Sequence, residues 1–364
     1  MAVAEPLMEF SIICDESDPD GGNLDLQFGV AAACGVRYVS YRSGNPSGKP
    51  GGNKRFADLT DGDIALIHAA RKRYGLSAFA TAASPLGKIK LSDVNDGNKA
   101  PFIPMTKYMK ENVPRCIMIA ANLEAPVIRI FSGYPPRGSD PLGYVNQSVD
   151  MIGGIASQAN KPSMMVAIEI EQDLVGRNGD LLDKIGKQLA ASGINNVCYA
   201  WDGGNVVAQG LDPMIQYERM KEGIGIVHAK DLKLRPELRT RLETVPRLEE
   251  AELADFVPIG TGDAQYPQIL SDMRNPGRRA HLYRDKVRER LIPACYMGEH
   301  IPHALSVPVL LVDLESHEKG GGQFGGRAEP DGIGRGFRAL TRVAGNAGWR
   351  YQLRDAPEPV YGKT

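Results

Sequence analysis

The feature that most constrains this chain is a repeating order of segments. Eight short apolar runs are spread along its 364 residues, each followed by a polar or glycine-containing loop and then by a stretch with helical periodicity. The runs fall at residues 10–14, 36–41, 77–81, 127–131, 165–170, 197–201, 224–227 and 309–314. They are continuous rather than alternating, which suits strands covered on both faces, as in a parallel sheet. Ile64, Ile67, Ala70 and Tyr74 recur at helical spacing. So do Leu181, Leu182, Ile185, Leu189 and Ala190, and Gly193 stands where a left-handed cap ends a helix. Strand, loop and helix repeated eight times predict an α/β chain closed into a (β/α)₈ TIM barrel. The rival, an open doubly wound sheet, lacks its signature, because no G-x-G-x-x-G follows the first run.

A single domain over residues 1–364 is expected, since such barrels need about 250 residues and tolerate long insertions. Two charged insertions are placed after strand seven, at about 232–256 and 276–306, with a glycine-rich loop at about 319–336 over the barrel mouth. A last helix near 337–347 is expected to close the barrel. Charge runs of this kind mostly stay in water as solvated faces. Lys+Arg is 43 and Asp+Glu 44, so the net charge of -1 argues against a general grip on nucleic acid or an anionic membrane. Five scattered cysteines, none in a C-x-x-C pair, speak for a reducing compartment, with Cys14, Cys116 and Cys198 in apolar runs as small buried side chains. The opening MAVAEPLMEF lacks a signal-peptide pattern, and no apolar run reaches the roughly 18 residues of a membrane span. A cytoplasmic protein is expected.

The C-terminal ends of barrel strands are where such folds carry chemistry. Strand five ends in Glu169 and Glu171, strand six in Asp202, strand seven in His228, and strand eight in Asp313 and Glu315. Four successive strands thus present carboxylate, carboxylate, imidazole and carboxylate. A hard cation such as Mg²⁺ or Mn²⁺ takes oxygen ligands with an imidazole or two. Co²⁺ is not separable from them by ligand type. Period-two alternation puts Glu169 and Glu171 on one side, and likewise Asp313 and Glu315, so the pattern alone does not choose within either pair. A lone histidine or glutamate at a strand end is usually structural; the joint pattern is what points to a metal.

The stretch from Val166 to Ser316 resembles the xylose-isomerase-like barrels of the sugar phosphate isomerase/epimerase group. The resemblance lies in VAIEIEQD, in WDGGN about thirty residues on, in IVHAKD, in VPIGTGDAQYPQIL and in VLLVDLESHEKGG. It implies metal ligands Glu169, Asp202, His228 and Glu315, and so selects Glu169 and Glu315 from their pairs. Two positions depart from the family's pattern: Thr261 stands where a glutamate is frequent, and Glu171 where a histidine is frequent.

The chemistry that follows is proton abstraction next to a carbonyl through a metal-stabilised enediolate, as an isomerase or epimerase of a sugar or keto-sugar performs. Glu169 and Glu315, on non-adjacent strands, are the expected proton-transfer pair, with Lys230 as a further catalytic candidate. Arg129, Glu171, Asp231 and Asn205 are the expected substrate-binding residues. Lys230 and Asp231 equally suit a structural ion pair, and Arg129 a structural carboxylate partner. Trp201 is expected to pack outside the barrel. Expulsion of a leaving group from the same enediolate gives the alternative, a lyase or dehydratase acting on a keto-sugar or 3-keto C-glycoside with a small partner subunit. His300, His303 and His317 are candidate bases for it, though each reads more simply as a loop residue. An abasic-site endonuclease is the remote alternative, disfavoured because SYRSGN and TAASP at strands two and three carry no histidine. A small carbohydrate substrate and a homo-oligomer complete the expectation.

Overall fold

The computed structural model describes residues 7–17, 23–236, 254–274, 309–314, 330–351 and 353. The eight apolar runs form the eight strands of one closed parallel barrel. They are β1 Leu7–Ile13, β2 Tyr38–Tyr41, β3 Ala78–Ala83, β4 Val127–Ile130, β5 Met165–Glu169, β6 Val197–Asp202, β7 Ile224–Ala229 and β8 Val309–Leu314. Each pairs with its neighbours in chain order, and β8 returns to β1, with Leu7 level with Val309. Closure leaves no bare sheet edge, which excludes the open sheet.

Helices follow the strands and cover the barrel: α1 Leu24–Ala33, α2 Asp61–Arg73, α3 Val113–Asn122, α4 Val145–Ala159, α5 Gly179–Ala191, α6 Gly203–Ala208, α7 Pro213–Met220, α8 Tyr266–Arg274 and α9 Pro330–Asn346. Their boundaries have local causes. Thr60 and Asp63 form a reciprocal capping box that starts α2, with Asp63 also held by Lys54 at 2.7 Å. Asn178 caps α5, and Gly193 follows its end at φ +77°, a conformation glycine takes without strain. Leu181, Leu182, Ile185 and Leu189 are the buried stripe of α5.

Alternation along the strands separates two cores. Val166, Ile168, Val197, Tyr199, Trp201 and Val227 face outward into the large layer under the helices. Tyr38, Ala78, Ala80, Val127, Met165, Ala167, Cys198, Ala200 and Ile226 form a separate buried cluster inside the barrel. Trp201 is fully buried edge-on to Tyr217 of α7, with ring centroids 5.9 Å apart, so it packs outside the barrel as expected. Cys14, Cys116 and Cys198 are buried free thiols.

The glycine-rich loop expected at 319–336 needs correction in its last part. Residues 330–336 are the first two turns of α9. Proline is well suited to the first turn, and burial of Phe337, Leu340 and Ala344 outweighs the roughly 1 kcal/mol that each glycine costs a helix. The first insertion is framed by an antiparallel ribbon, Leu232–Leu234 against Ala254–Phe256. The second insertion, and residues 237–253 of the first, lie outside the described residues. Among those described, no helix is long and apolar enough to cross a membrane.

Candidate functional site

The interior alternation runs directly into the site. Ala167, Ala200 and Ile226 belong to the inner cluster, and two residues beyond each stand Glu169, Asp202 and His228. All three side chains therefore emerge on the inside at the C-terminal rim, and register sets Asp202 level with His228 and Glu169 level with Ala200. One ligand atom from each lies within 4.8 Å of the others, and all three residues are buried. Among the described residues no other group of three metal-ligating side chains comes together in this way.

The surroundings hold these charges in place. Arg129, two residues after the inner Val127, brings Nε to 3.2 Å from Glu169 Oε2. Glu169 Oε1 lies 3.4 Å from His228 Nδ1 and accepts from Asn205 Nδ2 at 3.3 Å. Asp202 caps α6 by accepting from the Asn205 amide at 2.8 Å, which fixes one of its oxygens. Its other oxygen faces Lys230 Nζ at 3.4 Å. Lys230 also donates to Asn205 Oδ1 at 2.6 Å, so Asn205 ties the Glu169 strand to the Lys230 segment. Buried carboxylates are costly unless paired and hydrogen-bonded, and each of these has such neighbours.

Glu171 sits further out, and its Oε1 accepts from Lys88 Nζ at 3.0 Å. Burial pushes its carboxyl up, Lys88 pulls it back and Glu169 adds to the rise, with the upward direction winning. Lys88 and Arg129 both lie over the Phe131 ring, at 4.1 and 4.2 Å from its centroid. A cavity of about 940 Å³ opens over Glu169, Glu171, His228, Lys230, Asn205 and Arg129 and extends to Asp15, which Arg42 and Ser43 hold at 2.9 and 2.7 Å.

Asp231 does not join this group. Its carboxylate accepts from the amides of Gly260, Gly262 and Ala264 at 2.8, 3.0 and 3.1 Å, and it is 2% exposed. This geometry makes it the anchor of the loop that follows the ribbon. The Asp313 backbone is level with His228. Its side chain, and Glu315, His300, His303 and His317, lie outside the described residues.

The residues that sequence reasoning missed are Lys88, Phe131, Asp15 and Tyr266. Phe131 was within reach of the period-two rule, standing two after Arg129. So was Asp15, in the 3-10 turn Cys14–Ser17 two residues after Ile13 of β1, whereas Lys88 arrives on a loop with no periodic signal. Tyr266 is fully buried at the start of α8, and burial with the nearby Asp202 charge holds its phenol well above the ordinary value, so it keeps its proton.

Fold and site define a class: a closed parallel barrel whose C-terminal rim carries two carboxylates and an imidazole close enough together to hold a metal ion. The chain belongs to the xylose isomerase-like TIM barrel family, whose model matches residues 28–282. Solved structures of the same fold include a xylose isomerase domain protein from Alicyclobacillus acidocaldarius subsp. acidocaldarius. It is 16% identical, with a TM-score of 0.57, covering 94% of this chain and 99% of that one. A xylose isomerase-like TIM barrel protein from Mycobacterium smegmatis in complex with magnesium is 13% identical, with a TM-score of 0.55 and coverage of 94% and 98%. D-psicose 3-epimerase, solved in the presence of D-fructose, is 15% identical, with a TM-score of 0.53 and coverage of 94% and 100%. No curated protein matches the chain in sequence.

Proposed function

We propose that the protein is a divalent-metal-dependent isomerase or epimerase of a sugar or keto-sugar. The observation that carries this reading is the buried triad of Glu169, Asp202 and His228, with its donor atoms within 4.8 Å. Two carboxylates and one imidazole fit Mg²⁺, Mn²⁺ or Co²⁺. Glu315 is proposed as a fourth ligand. A bound ion supplies Lewis-acid polarisation of a substrate carbonyl and acidifies the adjacent C–H.

The chain's own residues supply the rest. Glu169 is the proposed base on one side of the substrate and Glu315 its partner on the other. Arg129 lies 3.2 Å from the Glu169 carboxylate and holds its direction. Lys230 and Asn205, hydrogen-bonded to one another at 2.6 Å, present polar groups at the cavity wall for substrate oxygens. Glu171 and Lys88 form a second polar pair there, and the raised Glu171 carboxyl is suited to carrying a proton. The magnesium complex and the epimerase among the structural neighbours support the reading. The cavity of about 940 Å³, at the upper end of the usual range, favours the lyase alternative as a second reading, in which a bulky leaving group is expelled from a keto-sugar. A homo-oligomer is proposed with it.

The test pairs metal content with exchange. The purified chain is expected to hold about one Mn²⁺ or Mg²⁺ and to exchange a C–H proton of ketoses in D₂O. Glu169→Gln and His228→Ala are expected to lose both. A metal-free wild type with no metal-dependent stabilisation and no exchange refutes the proposal. Elimination from 3-keto-glycosides without exchange of free ketoses moves it to the lyase.

A further inference from the structure

Tyr266 is absent from the cavity wall, yet its hydroxyl touches the backbone of His228 and of Gly203, the residue that follows Asp202. A phenol has one proton to donate and two lone pairs to accept with. Here all are used: the Tyr266 hydroxyl donates to the His228 carbonyl at 2.8 Å and accepts from the amides of Lys230 at 3.0 Å and Gly203 at 3.2 Å. One oxygen thus joins the end of β7, on both sides of Ala229, to the residue that follows Asp202.

The approach is as close as the local residues permit. A Cβ placed on Gly203 would stand 3.0 Å from Ala264 Cβ and 3.1 Å from the Tyr266 hydroxyl, and one on Gly204 would stand 2.8 Å from Lys230 Cγ. The glycine pair after Asp202 is what allows β6 and β7 to be bridged by a single side chain. Tyr266 is itself held from behind, because Asp231 pins the amides of Gly260, Gly262 and Ala264 just before it. A chain of contacts therefore runs from Asp231 through the loop and Tyr266 to the two ligand-bearing strand ends.

We infer that Tyr266 is a positioning residue that sets the separation of Asp202 and His228 and thereby the affinity for the divalent cation. This rests on the metal-site reading above. Groups behind metal ligands commonly govern affinity by fixing ligand orientation.

The test is calorimetric titration of the chelator-stripped full chain with MnCl₂. Tyr266→Phe is expected to bind Mn²⁺ about 10–100-fold more weakly, with an unchanged far-ultraviolet spectrum. Tyr217→Phe is the control: it keeps the ring against Trp201, removes a part-buried hydrogen bond to Asp272 at 2.9 Å, and is expected to keep the affinity within about twofold. A loss of stability shared by both variants with a loss of Mn²⁺ affinity in Tyr266→Phe alone separates positioning from mere packing. Wild-type affinity in Tyr266→Phe overturns this inference and leaves the proposed function standing. No saturable Mn²⁺ binding by the wild type overturns both. If Tyr266→Phe does not fold, Gly203→Ala crowds the same hydroxyl, and unchanged affinity there overturns the inference equally.

Discussion

Asp231 is expected to contact substrate and is seen to hold a loop, and the two roles predict opposite results on substitution. Asp231→Ala removes the acceptor of three amides. The Ala264 amide is buried and loses its partner without replacement, at about 1–3 kcal/mol. Those of Gly260 and Gly262 are part-buried and can reach water, losing about 0.5–1 kcal/mol each. The expected loss is about 2–5 kcal/mol. Asp231→Asn keeps one oxygen for the Gly260 and Gly262 amides and turns its NH₂ toward Ala264, so about 1–3 kcal/mol is expected. With an unfolding entropy of about 2.1 cal/mol/K per residue, 364 residues give roughly 1.3 °C per kcal/mol. Calorimetry should therefore show Tm falling by roughly 3–7 °C for Asp231→Ala and roughly 1–4 °C for Asp231→Asn. Tm values within about 1 °C of wild type for both, with a raised KM, refute the anchor and restore a substrate contact.

Three further outcomes follow from the same geometry. Gly186→Ala should destabilise by about 1–3 kcal/mol in urea although alanine favours helix, because its Cβ would lie far inside contact distance of the Tyr199 hydroxyl; a more stable variant contradicts this packing. Cys116 and Cys198, whose thiols burial pushes up to about 12, should resist iodoacetamide at pH 8 in the folded chain and react once it is unfolded, as peptide mapping will show; rapid labelling of native protein refutes their burial. Burial raises the Asp63 carboxyl, but hydrogen bonds from Lys54 and Thr60 outweigh it and hold it below 3.8. Its contribution to stability is present above that pH and lost below it, so the gap in Tm between wild type and Asp63→Ala should shrink as pH falls below 3.8, and a gap that widens there contradicts it.

The barrel was legible because parallel strands buried on both faces leave continuous apolar runs, and all eight runs coincide with strands to within two or three residues at most ends. The grouping of Glu169, Asp202 and His228 at the rim was legible for a related reason: each stands two residues beyond an inward-facing strand residue, so alternation alone delivers it there. What stayed hidden arrives by tertiary routes. Lys88 reaches Glu171 from 83 residues away in the chain, and Tyr266 reaches the carbonyl of His228 from 38. No periodicity encodes either contact. The first turns of α9 were hidden because three glycines there read as a loop, while Phe337, Leu340 and Ala344, the described apolar side chains that α9 buries, stand further along.

The pairing of β1 with β8 also has a consequence for how the chain is made. Residues 7 to 12 find their partners at 309 to 314, so the ring cannot shut until residue 314 has been synthesised. At about 5–20 residues per second the ribosome takes roughly 15–60 s to cover that distance. Throughout it β1 offers an open edge to any passing strand, and a transcript broken before residue 309 would leave β1 and β7 exposed together. The eighth barrel strand is thus the one that removes the polypeptide from the pool of aggregation-prone nascent chains.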